Sequence, residues 1–170
     1  MLKIFNDLSP FFEDNYRRIN IREYARILKI SPPSASKTLK AFAKEGLLVL
    51  EEDKNYLNFS TNKVSNLFLH LSRLYWFQTF DEIGFLDYLE KELIAPTIIL
   101  FGSFAKAEVR KQSDIDIAIF SDLQNELNFD VFEQKLQRKI QQFRFESRDK
   151  VPTQELLNNI LSGFILMGGW

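Results

Sequence analysis

Two acids stand one residue apart inside an otherwise apolar run, Ser113-Asp114-Ile115-Asp116-Ile117-Ala118-Ile119-Phe120. Ten residues (104–113) separate this pair from Gly102-Ser103, which abruptly ends a second apolar run, Pro96-Thr97-Ile98-Ile99-Leu100-Phe101. Continuous β-branched and apolar runs of this length predict buried central strands. Side chains alternate along a strand, so Asp114 and Asp116 project to one face with α-carbons about 6.5 to 7 Å apart. Two like charges at that separation repel by roughly 2 to 3 kcal/mol at an effective dielectric near 20. A buried strand tolerates such a pair when something positive sits between them, and a divalent cation meets that need. Hard oxygen ligands, no Cys and one His favour Mg²⁺ or Mn²⁺ over Zn²⁺.

Gly102 and Ser103 supply the complementary half of a phosphate site. Glycine permits a sharp turn and a close backbone approach, and residues from Ser103 onward are expected to open a short helix whose free amides face an anion. Lys106, Arg110 and Lys111 lie between the two halves in sequence and are candidates to screen phosphate charge, with a solvated surface role as the alternative.

A different pattern fills the first sixty residues. Tyr24, Ala25 and Leu28, then Leu39, Phe42 and Ala43, recur at helical spacing in two short segments separated by Lys29-Ile30-Ser31-Pro32-Pro33. Ser31 is suited to cap the second helix and Pro32 to occupy its first turn. Gly46 stands where a left-handed terminator is needed. Strands are expected at 47–50 and 56–59, with Glu51-Glu52-Asp53-Lys54-Asn55 turning the chain between them. A helix-turn-helix followed by a two-stranded wing is the result. The stretch INIREYARILKISPPSASKTLKAFAKEGLLVLEEDKNYLNFS resembles the winged helix-turn-helix domains of prokaryotic transcription regulators. The second helix of such domains enters the major groove. The resemblance therefore implies DNA contacts from Ser34, Ser36, Lys37 and Lys40, with Arg22, Arg26 and Lys29 on the preceding helix suited to phosphates. Winged helices also serve as interaction or dimerisation modules, and the acids of the expected wing tip would repel a phosphate backbone.

The stretch 63–92 reads as mainly helical, broken at Gly84. Phe68, Tyr75, Trp76, Phe77 and Phe80 are too apolar for a solvated linker and are expected between domains or against a second copy of the chain. His70, the only His, is expected to be buried or interfacial and is given no catalytic role.

The run LFGSFAKAEVRKQSDIDIAIF resembles the signature of the DNA polymerase β superfamily, and specifically its minimal prokaryotic nucleotidyltransferases. The matching positions are Gly102, Ser103, Ser113, Asp114 and Asp116. The resemblance implies transfer of a nucleoside monophosphate from a nucleoside triphosphate, most simply ATP, to a hydroxyl or related acceptor. Asp114 and Asp116 would be catalytic and hold Mg²⁺ or Mn²⁺, while Gly102, Ser103, Lys106 and Ser113 would bind nucleotide. This sequence departs from the family at Lys106-Ala107, where Arg-Gly is common, and at the third carboxylate. The latter position falls on Gln141 of an expected strand at 140–145. Glu146 has the opposite strand parity to Gln141, and Asp149 follows the strand.

The expected architecture is α+β: a winged helix-turn-helix (1–62), connecting helices (63–92) and a minimal nucleotidyltransferase domain with a small mixed sheet flanked by helices (93–170). A capped helix is expected to close the sheet from Pro152-Thr153-Gln154 to Ile160, and the apolar end at 163–167 to dock on the domain or on a partner. A DNA-binding regulator whose transferase domain only senses nucleotide or dimerises is the alternative from another class. An antitoxin acting on a helical toxin partner is a third, and a homodimer stays open. A net charge of -1 argues against a uniformly basic polyanion binder and leaves room for a local basic face. Zero Cys, no secretory leader pattern at the N-terminus and no membrane-spanning run lead to the expectation of a soluble cytoplasmic protein.

Overall fold

The computed structural model describes residues 1–53, 56–122 and 126–170. The chain divides into two compact units: Met1–Tyr75 with Ala107–Lys111, and Trp76–Lys106 with Gln112–Trp170.

The first unit opens with a helix absent from the sequence reading, α1 (Lys3–Phe12), whose Phe5, Leu8, Phe11 and Phe12 are buried. A two-residue strand, β1 (Ile19–Asn20), leads into α2 (Ile21–Leu28), where the Asn20 side chain accepts from the Glu23 amide at 2.9 Å. Lys29 ends α2 in the left-handed conformation. Ser31 caps α3 (Pro32–Lys44), with proline in its first turn. After Gly46, at φ +71°, come β2 (Leu48–Asp53) and β3 (Tyr56–Thr61). These pair antiparallel from Leu48↔Thr61 to Asp53↔Tyr56, and β1 adds to the free side of β3. The acids expected to turn the chain thus continue β2 as far as Asp53; the expectation for Lys54 and Asn55 lies outside the described residues. Strand pairing offsets the poor β-propensity of these acids, because Glu51 takes an ion pair from Arg18 at 2.8 Å and a hydrogen bond from the Ser60 hydroxyl at 3.0 Å.

Aromatic packing unites this unit. Phe12 stacks on Phe68 and Tyr75, with ring centroids 5.1 and 5.0 Å apart, and the Tyr24 hydroxyl donates to the Asp7 carbonyl at 2.7 Å. Phe68 and Tyr75 lie on α4 (Asn66–Glu82), which gives its residues up to Tyr75 to the first unit and those from Trp76 to the second. Phe68, Tyr75, Trp76 and Phe80 are therefore buried in the cores of the chain itself, whereas His70 is exposed, against expectation. Its neighbours Phe68 and Tyr75 belong to the packed side of α4, which leaves His70 on the solvated side.

In the second unit α5 (Phe85–Glu92) follows Gly84 and precedes a four-stranded mixed sheet. Its strands are β4 (Thr97–Phe101), β5 (Ile115–Phe120), β6 (Ile140–Phe145) and β7 (Phe164–Met167), in the spatial order β6-β5-β4-β7. β5 runs parallel to β6, while β4 pairs antiparallel with both β5 and β7. The apolar C-terminal segment is thus an edge strand. Between the strands lie α6 (Gly102–Lys106), α7 (Asp130–Leu136) and α8 (Gln154–Leu161), the last capped by the Thr153 side chain.

Two rows of paired side chains, Ile99–Ala118–Phe143 and Thr97–Phe120–Phe145, run across one face of this sheet. α8 covers that face with Leu156 and the fully buried Ile160. Alternation sends Ile98, Leu100, Ile115, Ile117 and Ile119 to the opposite face, and all five are buried. Burial on both faces explains why β4 and β5 read as continuous apolar runs. A second aromatic cluster joins Trp76 to Phe104, with centroids 4.7 Å apart, and Phe85 to Phe80, Phe129 and Phe132 at 5.7, 5.3 and 5.0 Å. The unit as a whole is a mixed α+β domain. Among the described residues, no helix is long and apolar enough to cross a membrane.

Candidate nucleotide and metal site

The row next to the two apolar ones is Phe101–Asp116–Gln141, and it carries the polarity. Asp116 is the second residue of β5, on the α8 face and half-buried at the end of the covered region. Asp114 precedes β5. Its Oδ2 accepts a hydrogen bond from the Gln141 side-chain amide at 2.8 Å. Asp116 and Gln141 are register partners, so the bond from Gln141 turns Asp114 to the same side of the sheet as Asp116. The two acids converge.

Gly102 ends β4 beside them. Its φ of +65° is a left-handed conformation that side chains disfavour. A Cβ there would overlap Asp116 Oδ2 and come within 3.2 Å of Asp116 Cγ. The turn backbone therefore lies directly against the carboxylate, and a side chain at this position would have to displace it. α6, one helical turn of five residues, begins here. Phe104 and Ala105 are buried and anchor it, which leaves Ser103 half-buried and Lys106 exposed. A cleft lined by Lys106, Thr153, Glu155, Leu156 and Asn159 opens on the α8 side of the sheet. Its wall includes Leu156, which packs on the same core as Phe101 and Ala118.

Asp116 holds its proton to higher pH than an ordinary aspartic acid, because burial disfavours its charged form and because Asp114 is a like charge nearby. Among the described residues, no Lys or Arg forms an ion pair with either acid. Two converging carboxylates without a cationic partner suit one hard divalent cation with oxygen ligands. They do not supply a third acid. Among the described residues no three of His, Cys, Asp and Glu are grouped for metal binding. Gln141 occupies the neighbouring position and presents an amide donor to Asp114. Glu146 follows β6, and Asp149 accepts from the Ser147 hydroxyl at 2.6 Å in a 3-10 turn, Arg148–Lys150.

Ser113 is used through its backbone: its carbonyl accepts from Arg138 at 3.0 Å. The Arg138 guanidinium lies over Trp76 and Phe104, 5.6 and 5.3 Å from their ring centres, so the residue before Asp114 is tied to an aromatic anchor. Of the cations between the two halves of the motif, Lys106 lines the cleft, whereas Arg110 and Lys111 belong to the N-terminal unit. Arg110 stacks there on Tyr16, 3.9 Å from the ring centre. Ala107 has φ +52°, so the position that is commonly glycine in the resembling family is left-handed here despite its side chain.

In the N-terminal unit Ser34, Lys37 and Lys40 are exposed on α3, while Ser36 is half-buried. Ser34 is partly engaged by the helix cap, with its hydroxyl 2.9 Å from that of Ser31. Lys44 is exposed four residues beyond Lys40 on the same face, an addition that the three- and four-residue spacing makes legible. Arg22 and Arg26 are exposed one turn apart on α2, and Lys29 is exposed at its end.

No curated protein and no solved structure matches this chain. A family model described as Polymerase beta, Nucleotidyltransferase does match, over residues 85–165. That segment holds Gly102, both acids and Gln141, and its match supports the nucleotidyltransferase superfamily as the relationship of the C-terminal part of the chain.

Proposed function

We propose that the C-terminal unit is a Mg²⁺- or Mn²⁺-dependent nucleotidyltransferase that takes a nucleoside triphosphate, most simply ATP, and transfers its nucleoside monophosphate to an acceptor. The observation carrying this reading is the convergence of Asp114 and Asp116 on the side of the sheet where the Gly102 backbone lies against Asp116. When bound, a divalent cation would neutralise phosphate charge and polarise the α-phosphate. Asp114 and Asp116 would hold it. Gly102 and Ser103 offer backbone amides and a hydroxyl to the phosphate oxygens, and Lys106 adds a positive charge at the end of the same helical turn. In the transfer, an acceptor oxygen forms a bond to the α-phosphorus, pyrophosphate leaves, and the acceptor proton goes to solvent or to a group on the acceptor. Gln141 cannot take that proton, since an amide is no base.

Gln141 motivates a second reading, in which nucleotide is bound and sensed without transfer. The N-terminal unit then acts as a winged helix-turn-helix that reads DNA through α3, with Ser34, Lys37 and Lys40 toward the groove and Arg22 and Arg26 on phosphates. Incubation with ATP labelled at the α-phosphate and Mg²⁺, beside the Asp114→Ala/Asp116→Ala variant, separates the readings. Label transferred by the wild type alone supports transfer. Nucleotide retained without transfer supports sensing. Equal nucleotide retention by both proteins removes the role proposed for the acids.

A further inference from the structure

Arg110 and Lys111 stand between the two halves of the transferase motif in sequence, yet their segment, Ala107–Lys111, belongs to the N-terminal unit. Asn15 and Val109 anchor it there. The Asn15 side-chain oxygen accepts from the Val109 amide at 2.6 Å, and the Asn15 backbone amide donates to the Val109 carbonyl at 2.8 Å. The next residue on each side is brought to its counterpart, so that the Arg110 guanidinium carbon lies over the Tyr16 ring, 3.9 Å from its centre. A second cation shares that ring. The Lys63 ammonium lies 3.4 Å from the same centre. Antiparallel pairing of β1 with β3 accounts for this, because Tyr16 precedes β1 and Lys63 follows β3 at one end of the sheet. Glu51 and Glu52 lie on β2 toward the opposite end.

The two cations are closer together than the screening length of about 8 Å at physiological salt, so they repel each other. The face of the ring offsets part of that repulsion. Nearby acids do not remove the rest. Asp14 accepts the Tyr16 amide through Oδ1 at 3.1 Å and Glu108 is exposed, and neither forms an ion pair among the described residues. Lys63 forms none there either. Arg17 and Arg18, the cations next along the chain from Tyr16, are by contrast matched to Glu23 and Glu51 at 2.7 and 2.8 Å. Lys63, Arg110 and the adjoining Lys111 are all exposed, and Tyr16 is 39% exposed.

We propose that this end of the N-terminal unit is a binding site for phosphate groups, carried on a nucleic-acid backbone or on a free polyphosphate. A bound anion relieves the repulsion between the two cations. Lys63 offers it a compact charge and Arg110 a planar fork of donors. The site draws on no residue of α3 or of the acid pair, and it occupies the end of the sheet away from the acids of β2, which repel phosphate.

The test is binding by the full chain, in EDTA, of two probes: a labelled DNA duplex of arbitrary sequence, followed by fluorescence anisotropy, and inorganic tripolyphosphate, followed by calorimetry. Removing divalent metal keeps metal-dependent triphosphate binding at the acid pair out of the measurement. Lys63→Ala/Arg110→Ala lowers duplex affinity about tenfold at low salt and reduces the slope of log affinity against log salt by about 2. Tyr16→Leu, which releases both cations without altering the charge, lowers affinity in the same direction, and Tyr16→Phe, which keeps the ring face, binds as wild type does. Lys91→Ala/Lys150→Ala removes equal charge from two exposed positions of the C-terminal unit and leaves the slope unchanged. A loss for the duplex in Lys63→Ala/Arg110→Ala identifies the nucleic-acid backbone as the ligand, and a loss confined to tripolyphosphate identifies a free polyphosphate. The proposal is overturned by a wild type that binds neither probe, by unchanged binding of both in Lys63→Ala/Arg110→Ala, or by an equal loss in the Lys91→Ala/Lys150→Ala control.

Discussion

Replacing Gly102 with alanine probes the closest approach in the candidate site, and its cost has two separable parts. The φ of +65° costs an L-residue about 1 to 2 kcal/mol. The new Cβ also overlaps Asp116 Oδ2, and forcing an atom into occupied space costs about 1 to 3 kcal/mol. Removing a glycine from the unfolded chain returns about 0.5 to 1 kcal/mol. The net expectation for Gly102→Ala is a loss of roughly 2 to 4 kcal/mol, measured by urea denaturation with the slope unchanged. In an Asp116→Ala background the overlap disappears and only the conformational part, about 1 kcal/mol, remains. The double-mutant cycle should therefore return a coupling of about 1 to 3 kcal/mol. Coupling below about 0.5 kcal/mol, the range found for independent sites, would refute the argument that the turn backbone rests on this carboxylate.

Three further outcomes follow from the same structure. Because the folded protein holds the Asp116 proton to higher pH than the unfolded chain does, the folded state binds more protons between the ordinary carboxyl value and the raised one, and stability falls as pH rises through that window. Asp116→Asn removes this slope: its stability advantage over wild type in metal-free buffer grows with pH across the window and is flat above it, and parallel pH-dependent curves would contradict the assignment. Gln137, exposed and left-handed at the end of α7 with φ +51°, gains about 0.5 to 1 kcal/mol on replacement by glycine, readable as a higher urea midpoint. On the proposal that α3 reads DNA, Lys37→Ala/Lys40→Ala lowers double-stranded DNA affinity and reduces the slope of log affinity against log salt by about 2, and an unchanged slope contradicts that proposal.

The parts of this molecule written in local patterns were legible. β4 and β5 announce themselves as apolar runs because both faces of each are covered, and Gly102 and Gly46 mark turns because their backbones are left-handed. The alternation of Asp114 and Asp116 was enough to place them on one side. What escaped depends on distant partners. α1 contains Pro10, a residue that a helix interior disfavours, yet its phenylalanines complete a core with Phe68 and Tyr75, more than fifty residues later. The acids at 51–53 look like a turn until Arg18 and Ser60 are seen to accommodate Glu51 within a strand. Gln141 was recognisable as a missing carboxylate, but its donation to Asp114 needed the parallel register of β5 and β6. Asn15 carries no local signature at all, since its partner Val109 lies 94 residues away.

The central claim is that Asp114 and Asp116 together grip a divalent ion on a bound triphosphate. Electron paramagnetic resonance of Mn²⁺, titrated with the protein and a non-hydrolysable ATP analogue, measures this directly. Ternary binding by the wild type, at least tenfold weaker in Asp114→Ala and in Asp116→Ala, is the predicted result. Equal Mn²⁺ binding by all three proteins would contradict it.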